Sequence, residues 1–450
     1  MKKLISVFLF TIAIVGCTQI DKEAKANKIL IEDLEKAITQ DLLNKWYPLA
    51  IDNEHGGFYS DITKEFSIGA RQDKMIVTQA RHIWTNSRAA ELYSGNSNYI
   101  NHALHGFEFL RDHMWDSING GFFNLVSREG SPIVNKEEPK TAYGNAFAIY
   151  GLSAYYHASK NPDALDLAKK GFNWLEANSH DKLNKGYFQS LDLDGSPVQR
   201  LKEYPSNSTI GYKDQNSSIH LLEAFTSLYE VWPDKLLAER LEELLIIIRD
   251  TITTDKGYMN LFFTKDWKPV SFKDSTKNII KSHYYLDHVS FGHDVETAFL
   301  LLEASHALGG QHNAITLKKG KKMVDHALQT GWDNESGGFY DGGYYFKGDE
   351  HLTVVNDHKN WWTQAEGLNS LLLFSQYFPD DSVKYRDYFD TLWEYTNTYL
   401  MDIVHGGWYE WGTDMRPEAK EGLKGHIWKA TYHNFRSLAN CKYLLEKEQN

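Results

Sequence analysis

The sequence predicts an all-α protein, an (α/α)6 barrel of six inner and six outer helices, and two observations lead to that prediction. The first is a turn motif, a glycine followed by an aromatic side chain, that returns six times at intervals of about 65 to 80 residues. The second is that one helical pattern precedes each turn and another follows it. The turn glycines are Gly57, Gly121, Gly186, Gly257, Gly338 and Gly407.

The helices that precede the turns carry charged residues on one side and an apolar stripe on the other, as residues 241–246 illustrate. That pattern is typical of an outer helix with one solvated face. We expect these outer helices near Lys28–Lys45, Tyr99–Met114, Asp163–Asn178, Leu236–Thr251, Thr316–Thr330 and Val383–Leu400.

The helices that follow the turns are more continuously apolar, as in residues 368–374, which predicts better buried inner helices. They begin near Met75, Thr141, Asn216, Phe291, Lys359 and Ala430. An open solenoid of helical hairpins fits this periodicity as well as a closed barrel does. The count of six favours closure, and a closed barrel with parallel inner helices collects their N-termini at one end.

The N-terminal residues have the features of a bacterial export signal. Lys2 and Lys3 precede an apolar stretch, residues 4–15, that is too short for a stable membrane-spanning helix. The stretch ends at Cys17 in a sequence that resembles a lipobox. We predict a lipoprotein signal peptide over residues 1–17 and a lipid on Cys17; an ordinary secretory signal with an incidental cysteine is the alternative.

The predicted lipid sets the expected location of the protein. We expect residues 18–27 to form a polar tether and residues 28–450 to form one barrel-shaped catalytic domain. The domain is then anchored at the bacterial cell envelope, on the periplasmic or the cell-surface side, and contacts the membrane only through the lipid. We expect a monomer or a weakly associating dimer.

The composition narrows the class of partner. A net charge of −12 argues against nucleic acid as the main ligand. Only Cys441 remains once Cys17 carries a lipid, so no intramolecular disulfide stabilises the fold. Aromatic side chains make up 14% of the sequence, which suits a large apolar core and also the binding of a small oligosaccharide or monosaccharide.

Polar or aromatic side chains occupy the first turns of all six predicted inner helices. Taken singly, each has an ordinary explanation, such as a surface ion pair for Arg81 or a core contact for Phe147. In a closed barrel, however, all of them converge on one site, and that convergence outweighs the separate explanations. The residues are Arg81, Tyr143, Phe147, Asn216, His220, His293, Glu296, Trp362, Glu366, Trp428 and His433.

The fourth inner helix carries the clearest acid/base motif. Its first turn places His293 and Glu296 three residues apart, on one face of the helix. A carboxylate beside an imidazole fixes the tautomer of the ring and tunes its pKa for proton transfer. Histidine pairs with the spacing of a zinc site and nucleotide-binding glycine loops are both missing from the sequence, so we predict no metal and no cofactor.

These motifs together resemble the N-acylglucosamine 2-epimerase superfamily, and most closely its cellobiose/mannobiose 2-epimerase branch. The resemblance runs through most of the chain after the signal. It rests on residues 54–59, 79–81, 142–147, 216, 220–224, 291–296, 361–366 and 432–434. The elements Phe-Gly-His-Asp-x-Glu and Trp-Trp-x-Gln-Ala-Glu are fairly specific in combination.

The resemblance implies an (α/α)6 barrel that inverts C2 of a reducing-end sugar without a metal or a nucleotide. It implies that His293 and His433 are the acid/base pair and that Arg81 and His220 face the C1/O1 end of the sugar. It further implies that Asn216 and Glu296 orient the sugar and that Trp362, Glu366 and Trp428 line the subsites. The chain departs from the family pattern at residues 82–87 and at 430–431, which puts the substrate preference in question.

Four other functions remain open at this stage. An inverting glycoside hydrolase would use Glu296 and Glu366 as its two carboxylates, about 6.5–9.5 Å apart. An aldose–ketose isomerase shares the enediolate intermediate but returns the proton to C1. An N-acylglucosamine 2-epimerase differs in substrate only. A non-catalytic sugar-binding lipoprotein would need the aromatic side chains but no histidine pair.

Overall fold

The computed structural model describes residues 24–135, 138–199 and 210–449. The predicted signal peptide and Cys17 lie outside these described residues. The chain is already helical at residue 24, so residues 24–27 of the predicted tether belong to the first outer helix.

The outer helices lie where the amphipathic pattern predicts them, each within four residues of the expected start among the described positions. Four of them end in, or contain, a π-helical segment. The outer helices are 24–46 with π-helical Ala37–Leu43, Asn98–Phe109 with Leu110–Met114, Pro162–Asn178, Lys235–Ile247 with Ile248–Ile252, Asn313–Gly331, and Tyr385–Tyr395 with Thr396–Leu400.

The inner helices also begin within about two residues of the predicted positions. Local capping explains several of these starts, because the side chains of Thr141, Asp214 and Asn360 accept hydrogen bonds from free N–H groups of the first turn. The six inner helices are Ile76–Leu92, Ala142–Ser159, Gln215–Val231, Phe291–Ala307, Trp361–Tyr377 and Tyr432–Gln449.

The inner helices form a closed ring. Each of them packs against the next, and the sixth packs against the first. Ile62, after the first turn, also pairs with Gly425, which precedes the sixth inner helix. The (α/α)6 barrel is therefore confirmed, and the open solenoid is excluded.

Short antiparallel strands join successive repeats at one end of the barrel. The strand that leads into an inner helix pairs with the segment that follows the next turn, as Lys74–Met75 pairs with Leu125–Val126. The other pairs are Lys140–Thr141 with Ser190–Leu191, Lys213–Asp214 with Phe262–Phe263, and Val289–Ser290 with Gly342–Tyr344, which also pairs with Thr353–Asn356. A short helix, Lys277–His283, and the 3-10 helices Tyr284–Leu286 and Pro417–Glu421 lie in the connections.

The glycine turns are held by side chains of the inner helices. The amide group of Gln79 accepts from the backbone N–H of Phe58 and donates to its carbonyl oxygen, both at 2.8 Å. Gln364 holds Phe339 in the same way. Gly57 has a φ of +65°, and a Cβ atom there would lie 2.6 Å from Oε1 of Gln79, so this turn requires glycine.

A buried ion pair also marks five of the six turns, and the sequence analysis did not predict it. An aspartate in the turn meets a lysine that precedes an inner helix, and all five lysines are almost fully buried. The pairs are Asp52–Lys74, Asp116–Lys140, Asp181–Lys213, Asp333–Lys359 and Asp402–Lys424, with oxygen-to-nitrogen distances of 2.6–3.0 Å.

The fourth repeat lacks both members of this ion pair. Thr254 stands where the other turns have aspartate, and Val289 stands where the other strands have lysine. The fourth turn also differs in its buried residue, which is Met259 rather than the predicted aromatic Tyr258. In the fourth repeat, the aspartate and the lysine of the ion pair are thus both replaced by uncharged residues. This is expected because the loss of one member alone would leave the other charge buried and unpaired.

Among the described residues, no helix is both long and apolar enough to cross a membrane. The core extends from the inner ring into the space between the two rings of helices, and Cys441 is buried in it as a free thiol.

Candidate active site

The N-terminal ends of the inner helices surround a cavity of about 290 Å³. Its wall contains every predicted site residue except Phe147 and Glu366, and it contains one tryptophan, Trp361, that was not assigned to the site. The lining residues are Arg81, Tyr143, Asn216, His220, His293, Glu296, Trp361, Trp362, Trp428 and His433.

Phe147 and Glu366 lie behind the wall rather than on it. Phe147 is buried beneath Arg81, whose guanidinium lies 4.5 Å from the ring centre, and its ring centroid lies 4.7 Å from that of His220. Glu366 is fully buried and contacts His433. Both residues therefore support side chains that line the cavity.

His293 and His433 line the same cavity and contact the same aromatic ring. The ring centroid of Trp362 lies 4.7 Å from that of His293 and 5.9 Å from that of His433. Nδ1 of His293 lies 2.8 Å from the hydroxyl of Ser290, and Nδ1 of His433 lies 2.5 Å from Oε1 of Glu366. Because Nδ1 is engaged in each case, Nε2 is the ring nitrogen that remains for a ligand.

Burial opposes the protonation of both histidines. It lowers the pKa of His293 to about 3, with smaller contributions from His220 and His288. It also lowers the pKa of His433 well below 6.5, helped by the charges of Arg81 and Arg436. Protonation of either ring therefore needs a compensating negative charge close by.

Arg81 places a permanent positive charge at the cavity. Its side chain is 4% exposed and donates from Nη1 to the carbonyl oxygen of Trp428 at 2.9 Å and from Nη2 to the hydroxyl of Tyr143 at 3.2 Å. Near it, Oδ1 of Asn216 is buried and lacks a hydrogen-bond partner within the described part of the chain. This pairing of a cation with a free acceptor suits a polyhydroxylated ligand.

A buried charge network behind the cavity was missed by the sequence analysis. Nη2 of Arg436 lies 2.6 Å from Oε1 of Glu296 and 2.7 Å from Oε1 of Glu366, and its Nη1 hydrogen-bonds Glu223. Glu223 in turn lies 2.9 Å from Nδ1 of His220. Helical spacing carried a signal for it, because Arg436 follows His433 and Glu223 follows His220 by three residues each.

Arg436 also contacts two of the residues that could otherwise hold a metal ion. Ligand atoms of Glu296, Glu366 and His433 lie within 4.8 Å of one another, close enough to surround an ion. The guanidinium of Arg436, however, already contacts both carboxylates and supplies the positive charge between them. The two carboxylates are therefore partners of an arginine rather than metal ligands.

The two departures from the family pattern meet each other away from the cavity. Oγ1 of Thr85 lies 3.1 Å from Oγ1 of Thr431, across the seam between the first and sixth inner helices. The hydroxyl of Tyr47 lies 3.2 Å from Thr431 and 2.7 Å from Nδ1 of His82. Both changes belong to one buried polar cluster, so they alter the core of the barrel and not the cavity wall.

The comparison with known proteins decides the family. The model of the N-acylglucosamine 2-epimerase family matches residues 57–437, which run from the first glycine turn to the first turns of the sixth inner helix. The chain belongs to this family.

Relatives within the family act on carbohydrates. A cellobiose 2-epimerase from Bacteroides fragilis is 32% identical over 420 residues, covering 91% of this chain and 98% of that protein. The structure of a cellobiose 2-epimerase from Spirochaeta thermophila superposes with a TM-score of 0.79 at 28% identity, over 95% of this chain and 99% of that one. A D-mannose isomerase from Marinomonas mediterranea is 26% identical over 366 residues, or 81% of this chain and 85% of that protein.

The protein is thus a carbohydrate isomerase or epimerase, as the resemblance of its motifs implied.

Proposed function

We propose that the protein is a sugar 2-epimerase that inverts C2 of the reducing-end residue of a β-1,4-linked disaccharide, of the cellobiose or mannobiose type. One observation carries the proposal. His293 and His433 approach one cavity from the fourth and sixth inner helices and both contact Trp362. A flat sugar intermediate between the two rings would expose opposite faces of C2 to them.

The proposed chemistry begins with the open-chain aldose. The Nε2 atom of one histidine removes the proton from C2, and the electron pair of the C–H bond forms an enediolate with negative charge on O1. The other histidine, protonated, returns a proton to the opposite face of C2, which restores the aldehyde with inverted configuration. Positioned acid/base groups of this kind accelerate a reaction by roughly 10²–10⁴-fold each.

Arg81 and His220 are the proposed partners of the developing charge. Arg81 is always charged, so it stabilises negative charge on O1 without a proton transfer, and His220 supplies a second donor. Asn216 and Glu296 would orient the sugar hydroxyl groups. Tyr143 and Trp362 would cover the sugar ring.

The two histidines have different hydrogen-bond partners, which suggests which of them is the acid and which the base when the sugar binds. His433 faces a carboxylate, Glu366, whereas His293 faces a hydroxyl, Ser290. A carboxylate compensates the charge of an imidazolium much better than a hydroxyl does. We therefore propose that the proton of the acid partner resides on His433 when the sugar binds, and that His293 starts as the base.

Trp428 favours a disaccharide over a monosaccharide. It stands at the rim of the cavity, and 47% of its surface is exposed. The exposed apolar face of a tryptophan at this place can stack against a sugar ring. A second sugar residue leaving the cavity would meet this side chain.

The geometry of the carboxylates argues against an inverting glycoside hydrolase. Oxygen atoms of Glu296 and Glu366 lie within 4.8 Å of each other, and both contact Arg436. An inverting hydrolase needs carboxyl groups about 6.5–9.5 Å apart on opposite sides of the scissile bond. These two glutamates are too close and lie on the same side.

Proton NMR in D₂O with the purified protein tests the proposal. Cellobiose, mannobiose, mannose and N-acetylglucosamine are each incubated with the protein. Deuterium at C2 with a new epimer signal supports the 2-epimerase and ranks the substrates. A ketose product would instead indicate the isomerase, release of monosaccharide the hydrolase, and binding without exchange the sugar-binding protein.

Two substitutions test the histidine pair itself. We expect His293→Ala and His433→Ala each to abolish epimerisation while the circular dichroism spectrum stays unchanged. His326→Ala is the matched control, since His326 is a buried histidine of an outer helix that contacts Tyr345. Normal turnover by either site variant would refute the assignment.

We also propose that the protein is a lipoprotein of the cell envelope, anchored through Cys17. The sequence preceding this cysteine supports the proposal. Labelling of the wild-type protein, but not of Cys17→Ala, with an alkyne fatty acid would establish the lipid. The proposal would be contradicted if neither protein incorporated the fatty acid and both were recovered equally in the membrane fraction.

A further inference from the structure

Arg436 is the point where the partners of two site histidines meet. A carboxylate oxygen of Glu223 hydrogen-bonds Nδ1 of His220, and one of Glu366 hydrogen-bonds Nδ1 of His433. Both glutamates also form ion pairs with the guanidinium of Arg436. Glu296 is the third carboxylate on the same group. All four charged side chains are at most 4% exposed, so solvent screens them only weakly from one another.

We propose that Arg436 is a positioning residue: it holds Glu366 as a hydrogen-bond acceptor and thereby keeps the proton of the neutral His433 ring on Nδ1. Nε2 of His433 is then the atom that faces the sugar, free to take a proton and to return it. This inference rests on the proposed epimerase chemistry and adds a residue to it that does not touch the sugar.

The balance of buried charges around Arg436 explains why this residue is needed. Burial acts to raise the pKa of Glu366, and Arg436, whose Nη2 lies 2.7 Å from Oε1 of Glu366, is the main group that opposes this rise. Burial also acts to raise the pKa of Glu223, but Arg436 and His220 outweigh it and lower the pKa to about 2. Without the arginine, three carboxylates would share one buried site, and at least one of them would take up a proton.

A protonated Glu366 would reverse its hydrogen bond with His433. The carboxyl O–H would donate to Nδ1, and the neutral imidazole would then carry its own proton on Nε2. That tautomer presents no lone pair to C2, so His433 could not act as a base, and a neutral imidazole is a far weaker acid than the imidazolium that the proposed acid step uses. Loss of Arg436 therefore slows proton transfer in both directions without removing any atom from the cavity wall.

Other charged groups also face the Glu366–His433 pair, and they come from four inner helices. Among them only Arg436 and Arg81 are permanently positive, and Arg81 acts from the sugar side of the ring. The groups are Arg81, His220, Glu223, His293, Glu296 and Arg436.

Arg436 can also be reached from the other end of the barrel. It lines a second cavity, of about 650 Å³, formed by five of the six inner helices, with Trp84, Arg88, Tyr150, Glu303 and Tyr443 in its wall. We name it the rear cavity. Truncation of Arg436 would leave a guanidinium-shaped space that opens into the rear cavity, so a guanidinium ion from solution can replace the lost group.

Chemical rescue of Arg436→Ala is the first arm of the test. We expect C2 exchange to fall at least about 10²-fold in kcat with little change in KM, and the acid limb of the kcat profile to move to higher pH. The limb moves up because removal of a positive charge raises the pKa of Glu366 and so favours the protonated pair. Guanidinium at non-denaturing concentration should restore activity, and urea, its neutral counterpart, should not.

Two further variants separate charge from structure. Arg249→Ala removes a buried arginine of an outer helix that pairs with Asp250, and it should leave the pH profile unchanged. Arg436→Lys keeps the positive charge and should keep the acid limb near that of the wild type even where kcat falls. A folded Arg436→Ala with an unshifted acid limb and no response to guanidinium would overturn the proposal. An equal shift in Arg436→Lys would also overturn it.

An arm without any sugar keeps this inference separate from the proposed function. With ¹³C,¹⁵N-labelled histidine, and with His433→Gln to assign the signal, NMR reports the tautomer of His433. We expect the proton on Nδ1 in the wild type and on Nε2 in Arg436→Ala at neutral pH. The same tautomer in both proteins would refute the role of Arg436, whereas absence of C2 exchange in the wild type would refute the epimerase and leave this measurement valid.

Discussion

The hydroxyl of Ser290 lies 2.8 Å from Nδ1 of His293, just before the fourth inner helix begins. The serine precedes the histidine by three residues and therefore lies at the entrance of the helix that carries it. Among the described residues, this hydrogen bond orients the His293 ring, and the ring of Trp362, tilted against it at 45°, packs beside it.

We predict that Ser290→Ala lowers kcat about five- to tenfold, which corresponds to the net free energy of one hydrogen bond. KM should change little, because Ser290 does not line the cavity. C2 exchange in D₂O measures both constants. Ser305→Ala, in the last turn of the same helix, is the matched control. A Ser290→Ala enzyme with wild-type kcat would mean that packing alone orients the ring.

Trp428→Ala tests the second sugar. We expect KM for cellobiose to rise about fivefold from the lost stacking surface, while exchange at C2 of the matching monosaccharide stays unchanged. The contact of Arg81 with this residue survives, because it uses the backbone carbonyl oxygen. Tyr377→Ala removes an exposed aromatic ring at the far end of the fifth inner helix and serves as the control. An equal loss for both sugars would contradict a subsite at Trp428.

Lys140→Met tests the buried ion pairs of the turns. The variant leaves Asp116 buried without its cation, and we expect a loss of about 3–5 kcal/mol in the free energy of unfolding. Urea denaturation measures it. The double variant Asp116→Thr with Lys140→Val copies the fourth repeat, where Thr254 and Val289 stand in these positions, and should recover most of that loss. A double variant as unstable as the single one would show that the pair itself stabilises the turn.

The same pairs predict how stability depends on pH. Burial acts to raise the pKa of Asp116 and of Asp181, but Lys140 and Lys213, with N–H groups of the turns, outweigh it and lower each pKa to about 2. A carboxyl whose folded pKa is below its unfolded value of about 3.9 stabilises the fold above that pH, and the contribution disappears as the pH falls through the folded pKa.

We therefore expect the urea midpoint to stay nearly constant from about pH 7 to 5 and to fall steeply between about pH 4 and 2. The double variant of Asp116 and Lys140 should show a shallower decline, since it has one such carboxyl fewer. A midpoint that begins to fall near pH 6 would assign acid unfolding to histidines instead.

The repeat and the helix boundaries were predictable because their causes are local. Glycine turns, amphipathic periodicity and capping residues such as Thr141 act over a few neighbouring residues. The positions of Arg81, His293 and His433 near the starts of inner helices followed from the same periodicity. Their meeting in one cavity followed from the number of repeats and from the resemblance of the motifs to a known family.

The contacts between distant residues were not predictable in this way. From its position before a helix, Lys140 would be expected to be solvated. In the structure its strand covers Asp116, and the two side chains form a buried hydrogen bond. Arg436 is the fifth residue of the last inner helix, and no local pattern identifies its partners on other helices. Glu366 was predicted to be a substrate ligand because it shares a helix face with Trp362. The structure instead shows Glu366 behind the wall, bound to His433 and Arg436.

The sequence by itself determined the all-α class, the six repeats, the family and nearly all residues of the cavity wall, because these depend on local pattern and composition. Only the tertiary structure decided the closure of the ring, the division between lining and supporting residues, and the charges that surround each histidine. Those properties depend on which helices become neighbours. Closure brings the sixth helix against the fifth and the first and sets Arg436 among glutamates of the third, fourth and fifth. No local pattern encodes that arrangement.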